Sequence, residues 1–402
     1  MTSLVNDITI IGGGIAGLWL LNRLRNEGYS AILLEHEALG RGQTMASQGM
    51  IHGGIKYTLS GALSGASEAI ADMPEYWSRC LRGEGDVDLR GSSVLSEHFY
   101  LWSTNTPGSK LSAFFASHAL RGRADKLAPA DYPTALQHAD FRGSVYRLVD
   151  IVLDTPDIVR RLADNARAHI YKIDWRQSRI ARDKSSGEAT LQIVDGDTTC
   201  SVRSRALIFA AGLGNEALLS ALGAGKPSMQ RRPLQQVMVK HPALPTFYGH
   251  CLGASTTPRL TISSHRLEDG CAVWYLGGEL AEQGVETLPD QLIAQAKAEL
   301  GKLFPWIDLG DAAWATLAIE RAEPRQKNLV RPDQAYAGWV DTCPNVIAAW
   351  PVKLTLAPNL GQQVSTLLQA RKILQPGSAR EDIELPLPQP TIAATPWAEA
   401  FT

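Results

Sequence analysis

Gly12, Gly14 and Gly17, followed by an acid at Glu35, have the types and spacing with which a chain binds a dinucleotide. Gly12 permits a tight turn, Gly14 lets a pyrophosphate approach the backbone, and Gly17 lets the following helix pack against the preceding strand. The N–H groups of Ile15 and Ala16 open that helix, where the dipole favours phosphate. Glu35 stands where a carboxylate accepts hydrogen bonds from a ribose hydroxyl, and an acid there disfavours a 2′-phosphate, which argues for FAD or NAD over NADP. Other candidates are less local. His52, in a glycine-rich stretch, has the chemistry to bind an acid or act as a base near neutral pH, although a histidine there also serves a purely structural role. Arg321 and Arg325 flank Glu323-Pro324; a guanidinium fork suits carboxylate recognition, and an internal salt bridge accounts for the same pattern.

The elements that must position these residues follow from periodicity. The apolar run before Gly12 is short enough for a buried strand. Leu18, Leu21 and Leu24 then recur at helical spacing until Gly28 stops them, and Ala31 to Glu35 is a second strand. From Glu37 to Tyr57 the chain is rich in glycine and small polar residues, as a loop against a ligand would be, and Met45, Met50 and Ile51 are poor choices for solvent. Helical patterns are expected over 64–77 and 111–121, and strand character over 93–103. A helix starts at Thr155-Pro156-Asp157, a strand covers 170–174, and a hairpin turns at Asp195-Gly196-Asp197. Arg205 to Phe209 is a buried strand ending at Ala210, Ala211 and Gly212, and a helix follows. Strands are expected over 231–240, 274–277 and 314–319, and a helix over 291–303. Asn345 to Trp350 is a last strand, leading through a loop into a helix over 362–374. Beyond Pro376 the Pro-rich, aperiodic composition predicts a tail lying on the surface or disordered.

Composition removes several classes. A chain of 402 residues, 45% hydrophobic and 20% charged, has material for more than one domain. A formal net charge of -2 gives no electrostatic reason to expect nucleic acid or an anionic membrane. No apolar stretch approaches the ~20 residues of a membrane span. A secretory signal is not evident, so a cytoplasmic protein is expected. Five scattered cysteines without a C-x-x-C pair predict reduced thiols, and no histidine spacing predicts a metal.

The ordered set of segments resembles the FAD-dependent oxidoreductases grouped with D-amino acid oxidase, glycine oxidase and monomeric sarcosine oxidase, most closely at Gly12-x-Gly14-x-x-Gly17, at the Ala210-Ala211-Gly212 turn and at Trp350-Pro351-Val352-Lys353. The resemblance implies an α/β (α+β) fold in which a Rossmann-like FAD-binding domain is interleaved with a mixed or antiparallel-sheet substrate domain. Residues 1–77, 148–225 and 320–375 would form the FAD-binding domain, 78–147 and 226–319 the substrate or cap domain, and 376–402 the tail. It further implies that Arg41, Thr44, Ser47, Gln48, Gly49 and Met50 wrap the pyrophosphate and flavin, that Ile173 supports the adenine, and that Val352, Lys353, Leu354 and Thr355 lie at the pyrimidine end of the flavin. Lys353 matches the family lysine that contacts a substrate carboxylate, and His52 falls where sarcosine-oxidase-like members place an arginine. Tyr57, Tyr100, Trp274, Tyr275 and Trp350 have the chemistry to wall the flavin and serve as readily as core aromatics. The C-terminal loop lacks the family's Gly-His-Gly. Ala46 replaces the histidine of covalent members, so non-covalent FAD is expected.

The expected activity is oxidation of a small amine, amino acid or hydroxy acid by hydride transfer to FAD, with O2 or a quinone as electron acceptor. Two alternatives stand beside it. Ile51-His-Gly-Gly-Ile-Lys-Tyr resembles the loop of glycerol-3-phosphate and 2-hydroxyglutarate members, which implies a quinone-linked hydroxy-acid or polyol-phosphate dehydrogenase. A nucleotide-binding regulatory protein without turnover would keep the same glycines.

Overall fold

The computed structural model describes residues 2–54, 70–104, 124–196, 198–253, 255, 257–327, 332, 334–371 and 382–402. The first part of the helix expected over 64–77, the whole of that expected over 111–121, and Tyr57 lie outside the described residues.

The chain opens with β1 (Thr2–Ile11), α1 (Ile15–Asn26), β2 (Ala31–Glu35), β3 (Met50–Ile51), α2 (Met73–Leu81), β4 (Val94–Ser96), β5 (Phe99–Ser103), β6 (Ala124–Lys126), β7 (Ser144–Leu148) and β8 (Ile151–Leu153). Next come α3 (Thr155–Asn165), β9 (Ile170–Lys172), β10 (Arg179–Arg182), β11 (Ala189–Asp195), β12 (Thr198–Phe209), α4 (Gly214–Ala221), β13 (Met229–Lys240), β14 (Gly249–Cys251), β15 (Leu260–Arg266) and β16 (Ala272–Gly277). The chain closes with α5 (Glu279–Gln283), α6 (Pro289–Leu303), β17 (Ala313–Pro324), β18 (Tyr336–Val340), β19 (Cys343–Trp350), α7 (Ala357–Ala370) and α8 (Pro396–Ala400).

Two large sheets result. The first runs β10-β11-β12-β1-β2-β9, with β19 paired to β12 and β18 to β19. Its centre is parallel: Ile11 lies beside Phe209 and Leu34, and Phe209 beside Ala348. Parallel strands must be covered on both faces, which is why β2 and the carboxyl ends of β1 (Ile8–Ile11) and β12 (Ala206–Phe209) are almost wholly apolar rather than alternating. Helix α1 is accordingly buried over Ile15–Leu24, packed among the sheet, α3 and α7. Leu18, Leu21 and Leu24 have no exposed surface, each contributing about 2 kcal/mol by burial.

The second sheet runs β17-β13-β16-β15-β14-β5-β7-β6 and is antiparallel except between β5 and β14. Val237, Val239, Trp274 and Leu276 on one face form a core with Leu292, Ala296, Leu300 and Leu303 of α6. Its other face carries Met238, Val273 and Tyr275. A small third sheet runs β3-β8-β4.

Three expectations change. The strand expected over 93–103 is two strands, interrupted at Glu97-His98. The last helix begins at Ala357 rather than Gln362, because Pro358 sits in its first turn, where a missing N–H costs nothing. The supposed tail is part of the fold over 382–402: Ile383, Leu385, Ala393 and Trp397 are buried against both sheets' cores or neighbouring segments. Its prolines suppress regular structure without preventing burial of the apolar residues between them.

Candidate active site

The nucleotide turn is set by backbone contacts. Gly12 has φ +112°, and a Cβ there would lie 2.5 Å from Ala211 Cα, so only glycine fits. A Cβ at Gly17 would lie 1.8 Å from the Gly12 carbonyl oxygen, which explains the close packing of α1 on β1. Gly14 differs: a Cβ there would meet only Thr44 Oγ1 at 3.1 Å, and the residue keeps accessible surface. Thr44 Oγ1 accepts the Ile15 N–H at 3.0 Å, and Ala16 continues the first turn in the core.

Glu35 lies beneath this turn. Its Oε2 accepts the Gly13 N–H at 2.6 Å, and its Oε1 accepts the N–H groups of His36 and Glu37, each at 2.8 Å. Burial alone would raise this carboxyl, but the hydrogen bonds from His36, Glu37 and Gly13 outweigh it and hold it below the usual range. An ionised acceptor is therefore fixed at the carboxyl end of β2. Ile173, beside it, is 1% exposed and gives its N–H to the Glu35 carbonyl at 2.8 Å.

The carboxyl ends of β1, β12 and β19 form the edge where ligands bind in open parallel sheets. Ala210 N–H donates to Ile11 O (2.8 Å), Ala211 N–H to Asn215 Oδ1 (2.8 Å), and Asn215 Nδ2 to Ala349 O (3.1 Å). Gly212 takes φ +57°, and its carbonyl accepts the Trp350 indole N–H at 3.2 Å. Ala211 and Gly212 keep accessible surface at this edge.

The first loop is wedged between the sheets. Gln43 Oε1 accepts the Ala322 N–H (2.9 Å), Ser47 Oγ lies 3.2 Å from Thr155 Oγ1, and Gln48 Nε2 donates to Tyr275 O (2.9 Å). Gly49, at φ +69°, lies so close to β8 that a Cβ would meet Leu153 O at 2.2 Å. Arg41 points outward and pairs with Glu37 and Glu399. Met50 opens β3, and His52, half-buried, follows it; the neighbouring Gly53 N–H donates to buried Asp150 Oδ1 at 3.0 Å.

The last loop meets this one. Thr355 Oγ1 donates to Met50 O at 3.2 Å, and Thr355 O accepts the Trp77 indole N–H at 3.0 Å. Lys353 is 8% exposed, and Leu354 opens the single turn Leu354–Leu356 beyond it. Val352 holds φ +64°, the one positive φ outside glycine among the described residues. A β-branched residue in that region is strained, and such strain concentrates at functional loops. The loop thus keeps a left-handed residue without the family's glycines.

Two expected walls are corrected. Tyr275 and Trp350 have no exposed surface and pack in the core rather than lining a pocket. Tyr275 instead ties the layers: its hydroxyl lies 2.5 Å from Gln236 Oε1 and 3.1 Å from Ala46 O, and burial pushes its pKa up, keeping it neutral. Trp350 holds the Gly212 turn. The ion pair at Glu323 also differs in partner. Its fully buried carboxylate takes a bidentate bond from Arg232 (2.7 and 3.0 Å) and one from Gln230 (3.1 Å), whereas Arg321, half-buried, donates from Nε to Arg232 O at 3.2 Å. Sequence reasoning also passed over Gln43 and Asn215; their only signal was a polar side chain inside a turn otherwise built of small residues.

Among the described residues, no three or more His, Cys, Asp and Glu side chains are placed to hold a metal, and no helix is long and apolar enough to cross a membrane. The five cysteines form no disulfide.

Comparisons with known proteins agree with this geometry. The family described as FAD dependent oxidoreductase (DAO) matches residues 7–353. A probable FAD-dependent oxidoreductase of Pseudomonas aeruginosa is 47% identical over 401 residues, covering 99% of each chain. The crystal structure of an FAD dependent oxidoreductase from Pseudomonas aeruginosa superposes with a TM-score of 0.85 at 43% identity over 100% of both chains. Glycine oxidase from Geobacillus kaustophilus shares the fold, with a TM-score of 0.66 at 16% identity over 94% of this chain and 97% of that one. With its glycine turn, its buried acid and its converging loops, the chain belongs to the DAO family of FAD-dependent oxidoreductases.

Proposed function

We propose that this oxidoreductase acts on a small, carboxylate-bearing amine, amino acid or hydroxy acid at the junction of its two large sheets. The observation that supports this most is the meeting of the first and last loops through Thr355 and Met50, which brings the segments carrying Lys353 and His52 together. Gly12, Gly14, Ile15, Ala16, Gly17, Thr44 and Glu35 would hold the adenosine diphosphate part of FAD. Ser47, Gln48, Gly49, Met50, Ala211, Gly212, Val352, Lys353 and Leu354 would surround the rest. When bound, FAD supplies the acceptor for a hydride from the substrate carbon, and O2 or a quinone then takes the electrons.

Lys353 is the cation for the substrate carboxylate, and its burial at the end of a strained loop gives it a fixed direction. His52, partly accessible, takes the proton that leaves the substrate nitrogen or oxygen. Arg321 is a second candidate for the carboxylate. Attachment of the flavin is non-covalent: Ala46 offers no nucleophile, and burial raises the Cys80 and Cys251 thiols to about 12, far from the reactive thiolate. Residues 1–77, 148–225 and 320–375 would form the FAD-binding domain, and 78–147 with 226–319 the substrate or cap domain.

Anaerobic mixing with a panel of amines, amino acids, hydroxy acids and polyol phosphates tests this reading. At least one carboxylate-bearing member should bleach the flavin absorbance. Lys353→Ala should slow bleaching by about 100-fold while changing FAD affinity little. Equal rates in the variant and the parent would remove the lysine from the site.

A further inference from the structure

The C-terminal segment is bonded to the residue that holds the nucleotide turn. Leu39 N–H donates to Thr391 O at 2.8 Å, and Ala393 N–H donates to Leu39 O at 2.9 Å, a bridge that pairs Leu39 with Ile392. The next residue, Gly40, donates its N–H to Gly13 O at 2.9 Å, and Gly13 N–H in turn reaches Glu35. Leu39 itself covers Gly13, with Cδ2 2.6 Å from where a Cβ would stand. Beyond this bridge Glu399 pairs with Arg41 of the same loop.

The segment ends on the other sheet. Thr395 Oγ1 caps α8 by accepting the Ala398 N–H, and α8 places Trp397, 4% exposed, against His265 of β15. Their rings stack 3.7 Å apart at 16°, and the Trp397 ring lies 5.9 Å from that of Tyr275. Tyr275 is the residue whose hydroxyl meets Ala46 O in the first loop. One segment therefore contacts the cofactor loop directly at Leu39 and Arg41, and through Tyr275 at Ala46.

We propose that residues 388–402 act as a strap that pre-orders the FAD-binding loop 37–49, with Trp397 and Ala393 as positioning residues for the cofactor. The physical need is plain. Gly40, Gly42 and Gly49 all take positive φ, and a loop of such residues loses much conformational freedom when it is fixed. A loop held in its binding shape before FAD arrives binds more tightly, because apparent affinity scales with the fraction of molecules already competent. The strap supplies that order from outside the loop, anchored on the second sheet through the stacking of Trp397 on His265.

Full-length Trp397→Ala, Trp397→Phe, Ala393→Pro and Glu399→Gln, stripped of flavin, are titrated with FAD by flavin fluorescence, and their thermal unfolding is followed without FAD. Trp397→Ala and Ala393→Pro should weaken FAD binding by about 10-fold and alter the fine structure of the bound flavin absorbance. Trp397→Phe, which keeps a stacking ring, should restore affinity to within about 2-fold, and Glu399→Gln, at an exposed pair, should change it by less. If Trp397→Ala does not fold, Ala393→Pro, which removes a single N–H donor, carries the test. Lower melting temperatures with unchanged FAD affinity in the folded variants would overturn the strap. The inference rests on loop 37–49 being the cofactor loop; a parent protein that fails to take up FAD would remove that assignment, whereas tight binding insensitive to these variants removes the strap alone.

Discussion

The nucleotide turn and the inner face of the second sheet are built on opposite terms. At the turn, shape is made by backbone: Gly12, Gly14 and Gly17 act through the absence of a Cβ, and the polar contacts are N–H groups meeting Glu35 and Thr44. On the second sheet, shape is made by side chains brought from distant strands, with Tyr275, Gln236, His265 and Trp397 meeting from three strands and the chain terminus. Backbone sites are coded locally and tolerate few residues. Side-chain sites are coded across the chain, and each member can be exchanged at a cost set by its burial.

That contrast can be tested through folding stability. The largest effect should come from Glu323→Ala, which leaves the Arg232 guanidinium without its buried carboxylate. Denaturant unfolding should show a loss of about 3–5 kcal/mol, and a loss below ~1 kcal/mol would mean that solvent reaches the pair. Gly17→Ala comes next, at about 3 kcal/mol, since its Cβ meets the Gly12 carbonyl and either helix or strand must shift.

His265 gives an effect that is absent at neutral pH and appears only in acid. Burial lowers its pKa to about 3, so the folded protein keeps the imidazole neutral, while the unfolded chain protonates it below about pH 6.5. Its contribution is complete above pH 6.5 and is lost as pH falls from there toward 3, with a slope of up to ~1.4 kcal/mol per unit. His265→Phe should flatten this part of the stability profile; the same slope in the variant would place its origin elsewhere. The smallest stability change should accompany Gly14→Val. A Cβ there meets only Thr44, so the flavin-free protein should melt within a few degrees of its parent while FAD uptake falls by more than ~100-fold. Retention of the yellow cofactor would show that Gly14 does not face the phosphates.

The glycine-rich turn and its strands were legible because their signals are short-range. Strand, turn, helix and acid fall within Ile8 to Glu35, and the Ala210-Ala211-Gly212 turn repeats the same logic at β12. The side-chain packing was not. Tyr275 and Trp350 read as walls because aromatic residues suit either a pocket or a core, and only the packing places them in the core. The partner of Glu323 was sought at Arg321 and Arg325 in the same segment. It comes from Arg232, brought close by a strand pairing that sets Arg232 opposite Arg321 and Gln230 opposite Glu323.

The sequence by itself determined where the chain must leave its regular geometry: glycines at a turn, an acid at a strand end, a lysine after a Pro-Val pair. These are constraints on single residues and their near neighbours, and local sterics enforce them in any context. Only the tertiary structure decided which distant segments meet there. It brought Thr355 to Met50, gave Val352 its left-handed backbone, and laid a proline-rich terminus across both sheets. Those choices follow from burial shared among elements far apart in the chain, and no short window of residues contains that information.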